Sequence, residues 1–185
     1  FINGELWGRV STGAPGMIFP GAQRLSAGRE WVQQAAQKVG LADASANSYN
    51  LPRHPSQLYE AVFEGVILWA LIWFIFRKRK PFHGFVTAIY LIGYGAFRFV
   101  IEYFRQPDRD MGFIFAFSDP SWPIERTGAL LNFTMGQLLC ALMILGGGAL
   151  LVFLSLKNRK LGGILTPVEG RLLYRTDSGW SLREE

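Results

Sequence analysis

Four polar residues recur at every fourth position inside an otherwise apolar run: Tyr90, Tyr94, Arg98 and Glu102. On an α-helix this spacing draws one slowly winding stripe. Arg98 has the most chemical content. A guanidinium stays charged, and it offers two parallel hydrogen bonds that match a phosphate. A charge in a hydrocarbon interior costs at least about 2.5 kcal/mol on insertion scales, so an arginine there marks a functional site. Glu102 lies one turn on and can pair with it. The plainer alternative is an ion pair that serves structure alone. A second run opens with His54, Gln57 and Tyr59 and continues through Glu60 and Glu64. If both runs are helices reaching the same membrane face, Arg98 lies roughly 9 Å below that face, at about 1.5 Å per residue counted from Phe104. Arg, Glu, His, Gln and Tyr then share one depth, where a phospholipid headgroup would meet them.

The elements that must position these residues are legible in hydropathy. Among 185 residues, half are hydrophobic and the net charge is +5. Three stretches, 58–76, 84–104 and 136–156, are almost free of charge. Each has about the twenty residues that a helix needs to cross a hydrocarbon core of roughly 30 Å. Continuous apolar runs, without alternation in segments of about ten residues, exclude a barrel. The expected fold is therefore all-α: a polytopic integral membrane protein with three transmembrane helices and an outer-face loop region. The basic excess sits largely in Arg77-Lys78-Arg79-Lys80 and Lys157-Asn158-Arg159-Lys160. Such clusters mark the cytoplasmic side and give no reason to expect nucleic acid. Residues 1–57 then lie outside as loop plus a short helix. Residues 105–135 form an outer interfacial loop carrying Phe113, Phe115, Phe117 and Trp122, and 157–185 a cytoplasmic tail without strong periodicity or visible function.

Finer expectations follow. Ser26 could cap a helix running through Val39, and Ser56 could cap the first membrane helix. Gly93, Gly95 and Gly65 should let helices approach closely. The single cysteine, Cys140, cannot form an internal disulfide and reads as core packing. Two distant histidines make no metal motif, and no metal or other cofactor is expected. A transporter would show broken helices and a polar path through the whole bilayer, whereas these polar residues gather near one face. A scaffold leaves Arg98 and Glu102 without purpose. An intramembrane protease would need a Ser–His or paired-Asp arrangement, and none is visible. The opening Phe1, without a signal peptide, reads as the middle of a longer chain that has lost upstream helices.

These residues also carry a family resemblance. Arg53-His54-Pro55-Ser56-Gln57-Leu58-Tyr59-Glu60 resembles the HPSQLYE motif of prolipoprotein diacylglyceryl transferases. The run from Gly93 through Arg98, Glu102 and Arg105 to Asp108 resembles their GYGxFRxxxExFRxPD segment. Phe1-Ile2-Asn3-Gly4-Glu5-Leu6-Trp7-Gly8-Arg9 matches the second half of their long GRxGNFxNGExxGR signature, and Met135-Gly136-Gln137 their entry into the last helix. The resemblance implies a bacterial enzyme of the cytoplasmic (inner) membrane, crossing it several times. It would move the diacylglyceryl group of phosphatidylglycerol onto the lipobox cysteine thiol of a prolipoprotein, forming a thioether and releasing glycerol phosphate. Its partners would be those two substrates and membrane lipid. Arg98 corresponds to the family's essential arginine. By the same resemblance Glu102, Glu5 and His54 join Arg98 as catalytic positions, and Asn3, Gly8, Arg9, Gln57 and Tyr94 as substrate-binding ones. The family's histidine in an HGG segment, and the arginine that begins the long signature, would lie before Phe1. His83-Gly84, beside a basic cluster, is no substitute. Residues 1–185 alone are therefore expected to be inactive. The chemistry needs a base for a thiol of free pKa about 8.5, charge neutralisation on the departing phosphate, and in-line positioning. Arg98 suits the second task. The missing histidine, or less readily His54, suits the first.

Overall fold

In the computed structural model the described residues are 7–78, 80–107, 111–117, 119 and 121–160, together with the backbone at 167–168, 171–176 and 179–182. The outer segment folds around a small core. Strand β1 (Leu25–Ser26) pairs antiparallel with β2 (Ser48–Tyr49), and helix α1 (Glu30–Lys38) lies between them in sequence. Val10, Leu25, Val32, Ala35, Ala36, Tyr49 and Leu51 bury against one another, with Trp31 and Val39 at the edge. The helix starts four residues later than Ser26 and ends at Lys38. Ser26 is held in the strand opposite Ser48, and its hydroxyl accepts from the Gly28 N–H at 3.3 Å, a local turn that competes with helix.

Helix α2 (Ser56–Phe76) is long and apolar enough to cross a membrane, as is Met135–Asn158 within α4 (Met135–Lys160). Their apolar side chains face outward: Val66, Phe74, Leu145 and Phe153 are all well exposed, unlike those of a soluble protein's core helix. Pro55, not Ser56, occupies the cap position of α2, and Ser56 is the buried first helical residue. A proline there gives up no helical hydrogen bond. Within α2, residues Ala61–Ile67 and Leu71–Phe76 widen to π-helical turns.

Helix α3 (Phe85–Ile101) is 17 residues long, shorter than the expected run to Phe104. The chain leaves the helix because its next carbonyls are engaged elsewhere. Phe104 O accepts from the Arg9 N–H at 2.8 Å, and Arg105 bridges to Gly8. α3 packs antiparallel on α4 through glycines. A Cβ on Gly95 would lie 3.0 Å from Cys140 O, and one on Gly147 2.9 Å from Ile92 Cγ1. Cys140 is buried at that contact, as expected. Gly93 meets Leu68 of α2, whereas Gly65 has nothing within 4 Å and mediates no close approach. At the far end, Gly84 adopts φ 84° beside Leu154.

Two departures from an all-helical reading remain. In the outer loop β3 (Phe115–Ala116) pairs with β4 (Asn132–Phe133). Past α4, β5 (Pro167–Val168), β6 (Arg171–Thr176) and β7 (Gly179–Leu182) form an antiparallel three-stranded sheet, where a tail without periodicity was expected. Asp177-Ser178, both turn formers, separates β6 from β7 in sequence. Among the described residues the molecule is mostly helical, and no sheet closes on itself.

Candidate functional site

Arg98 projects from the last turn of α3 toward the first turns of α2. Its Nη1 lies 2.6 Å from Glu60 Oε1 and 3.4 Å from Glu64 Oε1. Glu60 Oε1 also lies 3.2 Å from Arg105 Nη1, so one carboxylate bridges two guanidinium groups. Tyr94, one turn before Arg98, hydrogen-bonds Glu64 and stacks beside Tyr90 at 6.0 Å. The polar stripe is therefore real, but it is satisfied across helices. Glu102 was expected to pair with Arg98. Instead Arg98 turns to α2, and the buried Glu102 accepts a hydrogen bond from Thr134 Oγ1 at 3.0 Å. Spacing along one helix cannot reveal such partners, because the competing carboxylates are some 34 residues or more away in sequence.

Beside this network opens a cavity of about 220 Å³. Arg98, Glu102, Arg105 and Thr134 supply its polar wall, and Met111 and Leu139 belong to its apolar side. It sits where α3 ends and α4 begins. Two guanidinium groups facing one space of this size suit a phosphate, with apolar groups nearby for a lipid chain.

The signature segment forms the layer above. Gly8 N–H donates to His54 O at 2.9 Å, and a Cβ on Gly8 would lie 2.5 Å from Phe104 O and 2.6 Å from His54 O, so no larger residue fits. Arg9 is buried. Its Nε donates to Arg105 O at 3.0 Å, and its guanidinium lies over Phe113. Burial lowers its pKa to about 10, which leaves it charged at neutral pH. Arg53 is fully buried, donating to Gln106 Oε1 and to Gln23 O. Leaving a buried polar group without its partner costs about 1–3 kcal/mol, more for a charged one, so Arg9 and Arg53 fasten the signature loop to the α3 terminus.

Of the residues expected from sequence, the fold gathers Arg98, Glu102 and Tyr94 at or beside the cavity. Gly8, Arg9 and His54 do not line it. The His54 ring contacts Tyr59 OH through Nδ1 at 3.1 Å and meets Phe104 edge-on, and burial lowers its pKa. It does not line the cavity with Arg98. Gln57 lies half-buried in the first turn of α2. Asn3 and Glu5 fall outside the described residues. Arg105 and Thr134 were not singled out as site residues, and Glu60 was placed at this depth without a partner. For Arg105 the signal was present: it lies seven residues after Arg98, close to two helical turns. Among the described residues no group of His, Cys, Asp or Glu is arranged to hold a metal.

Comparison with known proteins now bears on this geometry. A family model described as prolipoprotein diacylglyceryl transferase matches residues 1–153. A phosphatidylglycerol–prolipoprotein diacylglyceryl transferase of Treponema denticola is 47% identical over 165 residues, covering 87% of this chain and 48% of that protein. The Treponema pallidum protein of the same name is 46% identical over 151 residues, covering 80% of this chain and 45% of its own. That of Chlorobaculum tepidum is 45% identical over 153 residues, covering 83% and 39%. The chain thus spans about half the length of the curated relatives it matches. No solved structure matches. With a family match over residues 1–153 that takes in the buried Arg9, the Arg98 network and Glu102, this chain belongs to the prolipoprotein diacylglyceryl transferase family.

Proposed function

We propose that this chain supplies the phosphate-handling part of an enzyme that transfers the diacylglyceryl group of phosphatidylglycerol to a prolipoprotein cysteine. One observation carries the reading: Arg98 and Arg105 line a single cavity at one end of the apolar helices, away from the basic runs. In the reaction the cysteine thiolate forms a C–S bond to the glyceryl carbon. The C–O bond to phosphate breaks, and its electron pair leaves with glycerol phosphate. Arg98, with Arg105, neutralises the charge growing on that leaving group. Glu60, which bridges the two arginines at rest, gives way as the phosphate enters. The thiol proton passes to a base outside this cavity's walls, and the family histidine expected before Phe1 fits that role. His54, which also lies outside those walls, is the second candidate for the same role. Glu102 and Glu5 act with Arg98 in catalysis, Asn3, Gly8, Arg9, Gln57 and Tyr94 bind substrate, and the acceptor is the lipobox cysteine.

In this reading α2, α3 and α4 each cross the bacterial inner membrane, with the cavity in the outer leaflet. At about 1.5 Å per residue α3 covers roughly 25 Å, short of the roughly 30 Å hydrocarbon core. Local thinning around the site accommodates the difference. The test uses membranes holding the whole protein, phosphatidylglycerol labelled in its acyl chains, and a peptide with a lipobox cysteine. Label should move to the peptide in a bond that survives thioester cleavage. A Cys→Ser peptide should receive none. Failure of the intact protein to label the cysteine peptide would overturn the reading.

A further inference from the structure

Thr134 stands immediately before α4, and its hydroxyl has two engagements. Oγ1 accepts from the Gln137 N–H at 3.3 Å, while the Thr134 N–H donates to Gln137 Oε1 at 3.1 Å. This is a reciprocal capping box closing the first turn of α4. The same Oγ1 lies 3.0 Å from Glu102 Oε1. A carboxylate only accepts, so the hydroxyl's one hydrogen goes to Glu102. The cap occupies a lone pair of the oxygen and so fixes the direction of that hydrogen. Thr134 is 2% exposed. Gly136 completes the seat: a Cβ there would lie 2.7 Å from both Cδ and Oε1 of Glu102. The positive end of the α4 macrodipole lies under the same carboxylate.

We infer that Thr134 is a positioning residue for the transfer reaction: it ties the Glu102 carboxylate to the start of α4 and so keeps Glu102 off Arg98. This rests on the reading of the cavity as the phosphate site. A free Glu102 would swing back one turn and pair with Arg98, which already answers to Glu60 and Glu64. A third carboxylate on that guanidinium would compete with the incoming phosphate. Anchored on Thr134, Glu102 remains a wall of the cavity shared with Arg98 and Arg105.

Three substitutions in the whole protein separate positioning from capping. Thr134→Ser keeps both the cap acceptor and the donated hydrogen. Thr134→Asp keeps a strong cap acceptor but sets a like charge, in place of a donated hydrogen, against Glu102. Thr134→Val, nearly the same shape, has neither. Transfer is measured per molecule of protein in membranes, as turnover and as apparent affinity for phosphatidylglycerol. Thr134→Ser should stay within about twofold of the unsubstituted protein, and Thr134→Asp and Thr134→Val should lose about tenfold or more in transfer. The Thr134→Asp loss should come while its level in the membrane stays close to normal. Near-normal transfer by Thr134→Asp would reduce Thr134 to a helix cap and overturn the inference. If Thr134→Asp does not accumulate, Thr134→Val decides: normal transfer per molecule overturns the inference, and lost transfer at a normal level in the membrane, with Thr134→Ser unimpaired, upholds it. Absence of transfer by the unsubstituted protein in the same membranes would instead overturn the reading of the cavity, and this inference with it.

Discussion

Arg98 is held by two carboxylates from another helix, and this makes its role testable at a single side chain. If the ion pairs with Glu60 and Glu64 serve only structure, Arg98→Ala should accumulate poorly, and whatever protein remains should transfer normally per molecule. If Arg98 clamps a phosphate, the loss falls on turnover, because interactions stronger in the transition state act on rate. Arg98→Lys keeps a charge but not the planar two-pronged donor. It should cut transfer about tenfold or more, equivalent to roughly 1.4 kcal/mol in the barrier. Glu102→Gln, which still accepts from Thr134, should cost less. Measuring protein level beside transfer separates the alternatives, and normal transfer per molecule for Arg98→Ala ends the catalytic assignment. At this scale the sequence was informative about type and less so about partner. A four-residue period exposed Arg98, Tyr94 and Glu102, since helix geometry repeats locally. It could not expose Glu60 as the bridge to Arg105, or Thr134 under Glu102, because those contacts depend on how three helices are brought together. The burial of Arg9 and Arg53 was hidden for the same reason: arginine is rarely buried, and only the tertiary partners make it tolerable.

Helices were the most legible elements, because long charge-free runs have few other uses. Their ends were less so. α3 stops at Ile101 because Arg9, far away in the chain, takes the Phe104 carbonyl. The strands at the outer loop and after α4 are short, and no hydropathy signal of their own announces them. Glycine positions divide sharply by what faces them. Gly146, Gly147 and Gly148 are consecutive in α4, but only Gly147 is pressed against α3, with Leu91 Cβ 3.1 Å and Ala88 O 3.2 Å from its would-be Cβ. Small residues at such crossings set the distance between membrane helices. Gly147→Ala should therefore destabilise the α3–α4 pair by about 1–3 kcal/mol, the usual range for overpacking. Gly148→Ala, with nothing within 4 Å, should be neutral or slightly stabilising, since alanine is the better helix former. Thermal unfolding in detergent, followed by loss of the monodisperse peak, measures both. Equal destabilisation by the two substitutions would refute the packing assigned to Gly147.

At the scale of the molecule, the two ends of the helical layer differ in kind. One end holds Arg9, His54, Arg98, Arg105 and Thr134, knitted into a buried polar layer. The other holds the Gly84 turn against Leu154, near the runs that begin at Arg77 and Lys157. Basic runs are retained on the cytoplasmic side during insertion, so in the proposed reading the polar layer faces outward. Single cysteines in a Cys140→Ala background test the orientation. Ala44 is an exposed position in the outer segment, and Lys80 is exposed in the connection between α2 and α3. On intact cells an impermeant thiol reagent should label Ala44→Cys and leave Lys80→Cys untouched until the membrane is opened. Labelling of Lys80→Cys but not Ala44→Cys on intact cells would invert the molecule and move the cavity to the inner leaflet. Labelling of both on intact cells would place the α2–α3 connection outside and deny α2 a crossing. The same pair of positions thus tests two matters that length alone leaves open: whether α2, with its outward apolar face, crosses, and in which leaflet a phosphate would meet Arg98.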